Sequence, residues 1–351
     1  MAKRSPSPPA EEPDRIAGFA HPRETYALWG QDAALARAAA AIRAGRPPGA
    51  WLISGPPGIG KATLAYRIAR YLLAYGATDA GADDLSVPPG NPDTQLVAAQ
   101  SHPGLLVLRR GLNPRTGKLM TVLGVDEIRK LSDFFGMTSG AGGWRVAIVD
   151  TADEMNDNAA NALLKMLEEP PARAMLLLLS DAPGRLLPTI RSRCQLLALR
   201  PLDAAAVTRG LDHFLPDMAG EERAALARLA DGSIGAALTL AAGEGAMLAA
   251  EADRLIDQAR APDLLALLAL GEKLSRGDGL SQFGEFLAAG LSVRIRAKAA
   301  VGAPGLERWA ALQSRIEQGF GRATRLHLEA RQTLLSAARD MAGVAGRADT
   351  L

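Results

Sequence analysis

Short apolar runs, each closed by a polar or turn residue, mark out five candidate strands. They are Trp51–Ser54, Leu105–Arg109, Val146–Val149, Ala174–Ser180 and Gln195–Leu199. Their β-branched and leucine-rich character, without alternation, is that of strands buried on both faces of a parallel sheet. Between them the pattern turns helical over Asp32–Arg43, from Lys61 to near Tyr75, over Val125–Phe135 and over Pro188–Arg191. Strands alternating with helices predict an α/β domain with a parallel sheet. After Leu199 no strand pattern remains. Asp203 and Ser233 are placed as helix caps, with breaks at Pro216 and Gly243, and helices follow near 246–259, 263–274, 280–298, 305–318 and 325–341. Pro262, the Gly277–Gly279 turn and the Gly302/Pro304 pair separate these helices. Residues 76–100, rich in Gly, Asp and Pro, read as an insertion or long loop.

Length and composition narrow the class. The chain has 351 residues, enough for two or three domains, and is 48% hydrophobic with 4% aromatics. A formal net charge of +2 gives no global electrostatic case for nucleic acid, so any such contact must be a local patch. The arginines of the carboxy-terminal helices (Arg294, Arg296, Arg308, Arg315, Arg322, Arg325) read as solvated surface charge. One cysteine, Cys194, excludes internal disulfides and any multi-cysteine zinc site, and fits a reducing cytoplasm. No apolar run reaches the roughly 18 residues of a membrane span. The first residues carry Lys3 and Arg4 but then prolines and acids instead of an apolar signal core, and read as a disordered tail.

Two stretches carry chemistry. After the first strand, Gly55, Gly60 and Lys61 fit G-x-x-x-x-G-K, with Gly58 between them. Such a turn brings backbone N–H groups close to phosphate oxygens, the following helix adds its positive end, and the lysine reaches the terminal phosphates. The next residue, normally Ser or Thr for Mg²⁺, is Ala62, and Thr63 is rotated away by roughly 100° of helix. Asp150 ends the strand Val146–Val149, where an acid beside such a loop ordinarily helps to hold Mg²⁺. Thr151 follows it and cannot act as a base, which costs roughly 10²–10⁴ in rate. The expectation is a nucleotide site that binds ATP or ADP weakly and hydrolyses it negligibly.

Ala160–Pro171 (ANALLKMLEEPP) and the Ser192-Arg193-Cys194 triplet after a leucine-rich strand closely resemble bacterial DNA polymerase III clamp-loader subunits, which are AAA+ proteins. The resemblance covers roughly Trp29–Ala242. It implies an AAA+ module followed by an all-α collar: a tail over 1–20, the P-loop α/β domain over 21–199, a helical lid over 200–243 and an oligomerisation collar over 244–351. It also implies motor (gamma/tau) and delta subunits as partners, with the sliding clamp and primer-template DNA met through the complex and no membrane. Among such subunits this chain is more similar to the non-hydrolysing stator than to the motor. Where motor subunits carry a nucleotide-contacting arginine after the lid's Gly-Ser, it has Gly235. Many members carry a four-cysteine zinc module where residues 76–100 lie. That segment has neither cysteine nor histidine and is expected to bind no zinc.

By the same resemblance Arg193 is an arginine finger, offered to a neighbouring subunit's nucleotide, a role that suits a permanently charged, bidentate guanidinium. The alternative role is a local ion pair that pins its strand. Cys194 reads as a packing residue, and His102 and His213 as loop or helix-surface residues. An active AAA+ motor subunit is the second functional reading. A small-molecule P-loop kinase is the third, and no acceptor-site motif supports it.

Overall fold

The computed structural model describes residues 15–111, 120, 122–136, 143–242, 245–274, 279–302, 304–326 and 328–346. The chain forms two compact units, Met1–Leu202 and Asp203–Leu351. In the first, strands β1 (Ala50–Ser54), β2 (Leu105–Leu108), β3 (Arg145–Val149), β4 (Ala174–Ser180) and β5 (Gln195–Ala198) make one sheet of order β2-β3-β4-β1-β5. All neighbours run parallel. Its helices are α1 (Asp32–Arg43), α2 (Lys61–Tyr75), α3 (Pro92–Ala98), α4 (Val125–Gly136), α5 (Asp157–Glu168) and α6 (Pro188–Arg191).

Parallel strands need crossovers, and the crossovers bury both faces. Trp51, Ile53, Ile148 and Leu177 point into one core with α1, α2 and α3, while Leu52, Val149, Leu176 and Leu178 point into another with α4, α5 and α6. That two-sided burial explains the continuous apolar runs of β1, β3 and β4, whereas the edge strands β2 and β5 are only partly buried and Leu196 of β5 is exposed. The α/β arrangement followed by helices is the one that the AAA+ resemblance implies.

The insertion differs from its reading as a loop. It contains α3, whose N-cap Asn91 accepts from the N–H groups of Asp93 and Thr94, with Pro92 opening the helix. Asn followed by Pro is a start signal, and the surrounding Gly and Asp outweighed it in the sequence. The segment is fastened to α2: Arg67 donates to the Asp84 carbonyl at 2.8 Å and to its carboxylate at 2.6 Å. Burial opposes ionisation of Asp84, but hydrogen bonds from Ser86 and the Arg67 charge hold its carboxyl below the ordinary range. Leu85, Val87 and Val97 of the insertion are buried in the α1/α2 core. His102 is a fastening too. Gly104 N–H donates to its Nδ1 at 2.9 Å, so Nε2 carries the proton toward Asp93, 3.3 Å away.

Residues 15–20, counted with the tail in the sequence, include a turn held by Arg15, whose guanidinium meets Glu24 at 2.6 Å. Next to it the buried guanidinium of Arg70 donates to the carbonyls of Arg23 and Thr25 and lies over the Tyr26 ring. Burial lowers its pKa to about 10, so it stays charged at neutral pH.

The second unit is helical throughout its described residues. It comprises α7 (Ala204–Phe214), α8 (Gly220–Leu229), α9 (Ile234–Ala241), α10 (Gly245–Asp257), α11 (Leu264–Leu274), α12 (Gly279–Ala300), α13 (Leu306–Arg325) and α14 (Ala330–Ala345). Asp203 and Ser233 cap α7 and α9, accepting from Ala206 and Ala236. The expected breaks at Gly243 and Gly277 lie outside the described residues. Arg228 on α8 and Arg294 on α12 both pair with the buried Asp253 of α10. The expected break after Gln318 is absent, and α13 runs through Gly319 and Gly321. Phe320 between them is buried over Gly284, where a Cβ would stand 2.5 Å from the ring. That packing outweighs the roughly 1 kcal/mol helix penalty of each glycine.

The insertion's attachment predicts its sensitivities. Leu85→Ala should cost about 2–5 kcal/mol of stability in urea titration, as a deleted core leucine does. Prolonged dialysis against a metal chelator should leave the wild-type melting temperature unchanged.

Candidate nucleotide cradle and the Arg193 edge

Ser54 ends β1 opposite Ser180 of β4, so Gly55 and Asp181 leave the sheet side by side at its carboxyl edge. That edge is where open α/β sheets take ligands. Gly55 N–H donates to the Ser180 carbonyl at 3.2 Å. The turn is left-handed at Gly58 (φ 74) and Gly60 (φ 104), and Gly55 sits at φ 150. A Cβ on Gly55 would stand 2.6 Å from both Ile59 Cδ1 and the Leu199 carbonyl oxygen, so glycine is a steric need there. Gln31, before α1, donates to the Ile59 carbonyl at 3.2 Å and the Arg200 carbonyl at 2.9 Å, tying the turn to the end of β5.

Lys61 opens α2 and is 9% exposed. Its ammonium donates to the carbonyls of Gly55 at 2.8 Å and Pro56 at 2.7 Å. A third contact is an ion pair with the Asp181 carboxylate. The Asp153 carboxylate holds the turn carrying Asp181, accepting from the backbone N–H of Asp181 and of Ala182, each at 3.2 Å. The sequence reading missed Asp181 and Asp153. An acid after a strand was visible, but strand order is what sets that acid beside the lysine.

The glycines and Lys61 are therefore together, and backbone donors fit a phosphate. The residues do not fit Mg²⁺ in the ordinary manner, since Ala62 brings no oxygen. Asp150 leaves β3, which is separated from β1 by β4. Its carboxylate accepts from Thr151 N–H at 3.0 Å, and Thr151 itself is left-handed at φ 51. Gly235 lies in the first turn of α9 in the second unit, and the Ser233 hydroxyl caps that turn.

Arg193 lies away from these groups. It precedes β5, whose first residue Gln195 is level with Trp51 at the start of β1. The cradle follows the other end of β1, roughly 13 Å along the strand at about 3.3 Å per residue. Arg193 donates to the Thr189 carbonyl at 3.1 Å and pairs with Glu168 at 2.9 Å, with the two side chains 37% and 52% exposed. The pair joins the Leu-Glu-Glu-Pro-Pro motif to the Ser-Arg-Cys motif. The prolines pack elsewhere. A Cβ on Gly49 would press on Pro170 at 2.9 Å, so Gly49 lets that corner sit against the start of β1.

Cys194 is half-buried, and burial pushes its thiol up to about 12. Among the described residues no group of three or more His, Cys, Asp or Glu could hold a metal ion. No helix there is long and apolar enough to cross a membrane.

Residues 30–203 match the family described as DNA polymerase III, delta subunit. The DNA polymerase III subunit delta' of Pseudomonas aeruginosa is 41% identical over 184 residues, 52% of this chain and 53% of that protein. Its Escherichia coli K12 counterpart is 36% identical over 211 residues, 58% of each chain. The DNA polymerase III subunit tau of Salmonella typhimurium is 31% identical over 225 residues, 62% of this chain and 32% of that one. The chain thus spans about half the length of the curated delta' relatives it matches. Among solved structures, a DNA polymerase III gamma subunit-related protein of Thermotoga maritima has 18% identity, covers 88% of this chain and 98% of its own, and gives a TM-score of 0.43.

The raised thiol pKa predicts an inert cysteine. A shift from the ordinary 9.0 to about 12 lowers the thiolate fraction about 10³-fold. Iodoacetamide at pH 8 should therefore label Cys194 of the folded chain far more slowly than the urea-unfolded chain, as followed by intact mass.

Proposed function

Over residues 30–203 the chain belongs to the DNA polymerase III delta-prime subunits, and on that premise we propose that it is the stator of a clamp loader. In this reading it assembles with motor (gamma/tau) and delta subunits and lends Arg193 to a motor's nucleotide during ATP-dependent loading of a sliding clamp on primed DNA. The second unit's carboxy-terminal helices form the collar, and α7–α9 the lid. The observation that carries the reading is where Arg193 stands. It is exposed at the sheet edge opposite this chain's own cradle, so its guanidinium serves a neighbour.

The chemistry follows from the residues present. Arg193 brings a planar, permanent charge with paired N–H groups to phosphate oxygens whose charge grows in the transition state, the role of an arginine finger worth about 10³–10⁵ in rate elsewhere. Before assembly Glu168 holds that guanidinium, and an exposed pair of this kind is worth only about 0–1 kcal/mol. Exchange of Glu168 for a phosphate is therefore cheap. The chain's own cradle binds ATP or ADP weakly, because Ala62 supplies no Mg²⁺ ligand. It does not turn nucleotide over, since Thr151 supplies no base. Gly235 likewise brings no charge to α9. These three residues weigh against the alternative, an active motor subunit.

Arg193→Ala should leave assembly intact and change the isolated chain's stability by no more than about 1 kcal/mol. It should lower the clamp- and DNA-stimulated ATPase of the reconstituted loader, and Arg193→Lys should rescue that rate poorly because it lacks the fork. Melting curves of the isolated variants beside loader ATPase decide the matter. An unchanged loader rate with a lowered melting temperature would reduce Arg193 to a structural residue, and steady turnover by the isolated chain would favour the motor.

A further inference from the structure

We propose that Asp181 is a built-in occupant of the phosphate site: its carboxylate takes the Lys61 donor that a nucleotide phosphate would need, and so sets the cradle's low affinity for anions. The inference rests on reading Gly55–Lys61 as a phosphate cradle, and it is independent of Arg193. An ammonium has three donors and no acceptor. On Lys61 all three are committed, to the Gly55 carbonyl at 2.8 Å, the Pro56 carbonyl at 2.7 Å and the Asp181 carboxylate. Gly55 N–H is also spent, on the Ser180 carbonyl, and Pro56 and Pro57 have none. Any phosphate that calls on the Lys61 ammonium must therefore break one of its existing contacts.

The contact is placed by the fold. Ser54 and Ser180 are register partners, so the residues that follow them emerge together from adjacent strands. Asp153 accepts from the N–H groups of Asp181 and Ala182 and thereby fixes the turn that aims the carboxylate. Lys61 is nearly buried, where attraction between opposite charges is little screened. A phosphate entering the turn meets a second penalty: the Asp181 carboxylate, if displaced from Lys61, stays next to it as a like charge with no cation to offset it. Asp181 acts here as a positioning and excluding group, with no catalytic part.

The test uses the full chain, calorimetry, and two probes, inorganic tripolyphosphate and Mg²⁺-free ADP. Asp181→Asn keeps the side chain's shape and removes its charge, and Asp181→Ala removes the contact altogether. Asp181 is 45% exposed, so neither change empties a core. Both variants should bind both probes at least tenfold more tightly than wild type. Adding Lys61→Ala to Asp181→Asn should abolish the gain. The melting temperature of Asp181→Asn should rise with tripolyphosphate at concentrations that leave wild type unmoved. Wild-type affinity equal to that of both variants would overturn the exclusion while leaving the cradle standing. No binding by any variant at millimolar probe would overturn the exclusion and the cradle together.

Discussion

The parallel pairing of β1 with β4 on one side and with β5 on the other sets the geometry of both chemically distinct edges. In a parallel sheet all strands start at one edge and finish at the other. The cradle can then only follow β1 at the finishing edge, and a residue before β5 can only lie at the starting edge. Lys61 and Arg193 are thereby kept apart by the length of a strand, though both belong to motifs associated with the same nucleotide chemistry. One faces the chain's own loop, the other the outside.

Lys61 and Arg193 also show two ways of holding a cation in reserve. Each is paired with a carboxylate of its own chain, but the settings differ. The Arg193–Glu168 pair is exposed on both sides, so water competes with it and exchange of partners costs little. Lys61 is nearly buried, and its ammonium is saturated by two carbonyls and Asp181. A surface pair can exchange its partner at little cost. A cation that is itself shielded suits a group that keeps the partners it has.

Local signals were legible in the sequence. Gly55, Gly58, Gly60 and Lys61 could be placed because a phosphate turn is a contiguous run with glycine where the backbone is left-handed. Arg193 was visible through the triplet around it. Asp181 was not, because its meaning depends on β4 lying next to β1, and strand order leaves no mark on either strand. Glu168 was hidden for the same reason, being 25 residues from Arg193 in the chain. The continuity of α13 through Gly319 and Gly321 was hidden as well, since the packing of Phe320 over Gly284 joins two distant helices. In α3 the signal was present, at Asn91-Pro92, but the surrounding turn residues masked it.

The insertion, finally, is attached mostly by oil. Leu85, Val87 and Val97 are its buried anchors, with the Arg67–Asp84 contact at the rim. Apolar burial weakens on cooling, because its driving force near room temperature comes from water entropy. The attachment of residues 76–100 to α2 therefore has a temperature of greatest tightness and slackens toward the cold. Since α2 begins at Lys61, where the phosphate turn ends, low temperature loosens the packing against the helix that follows the cradle.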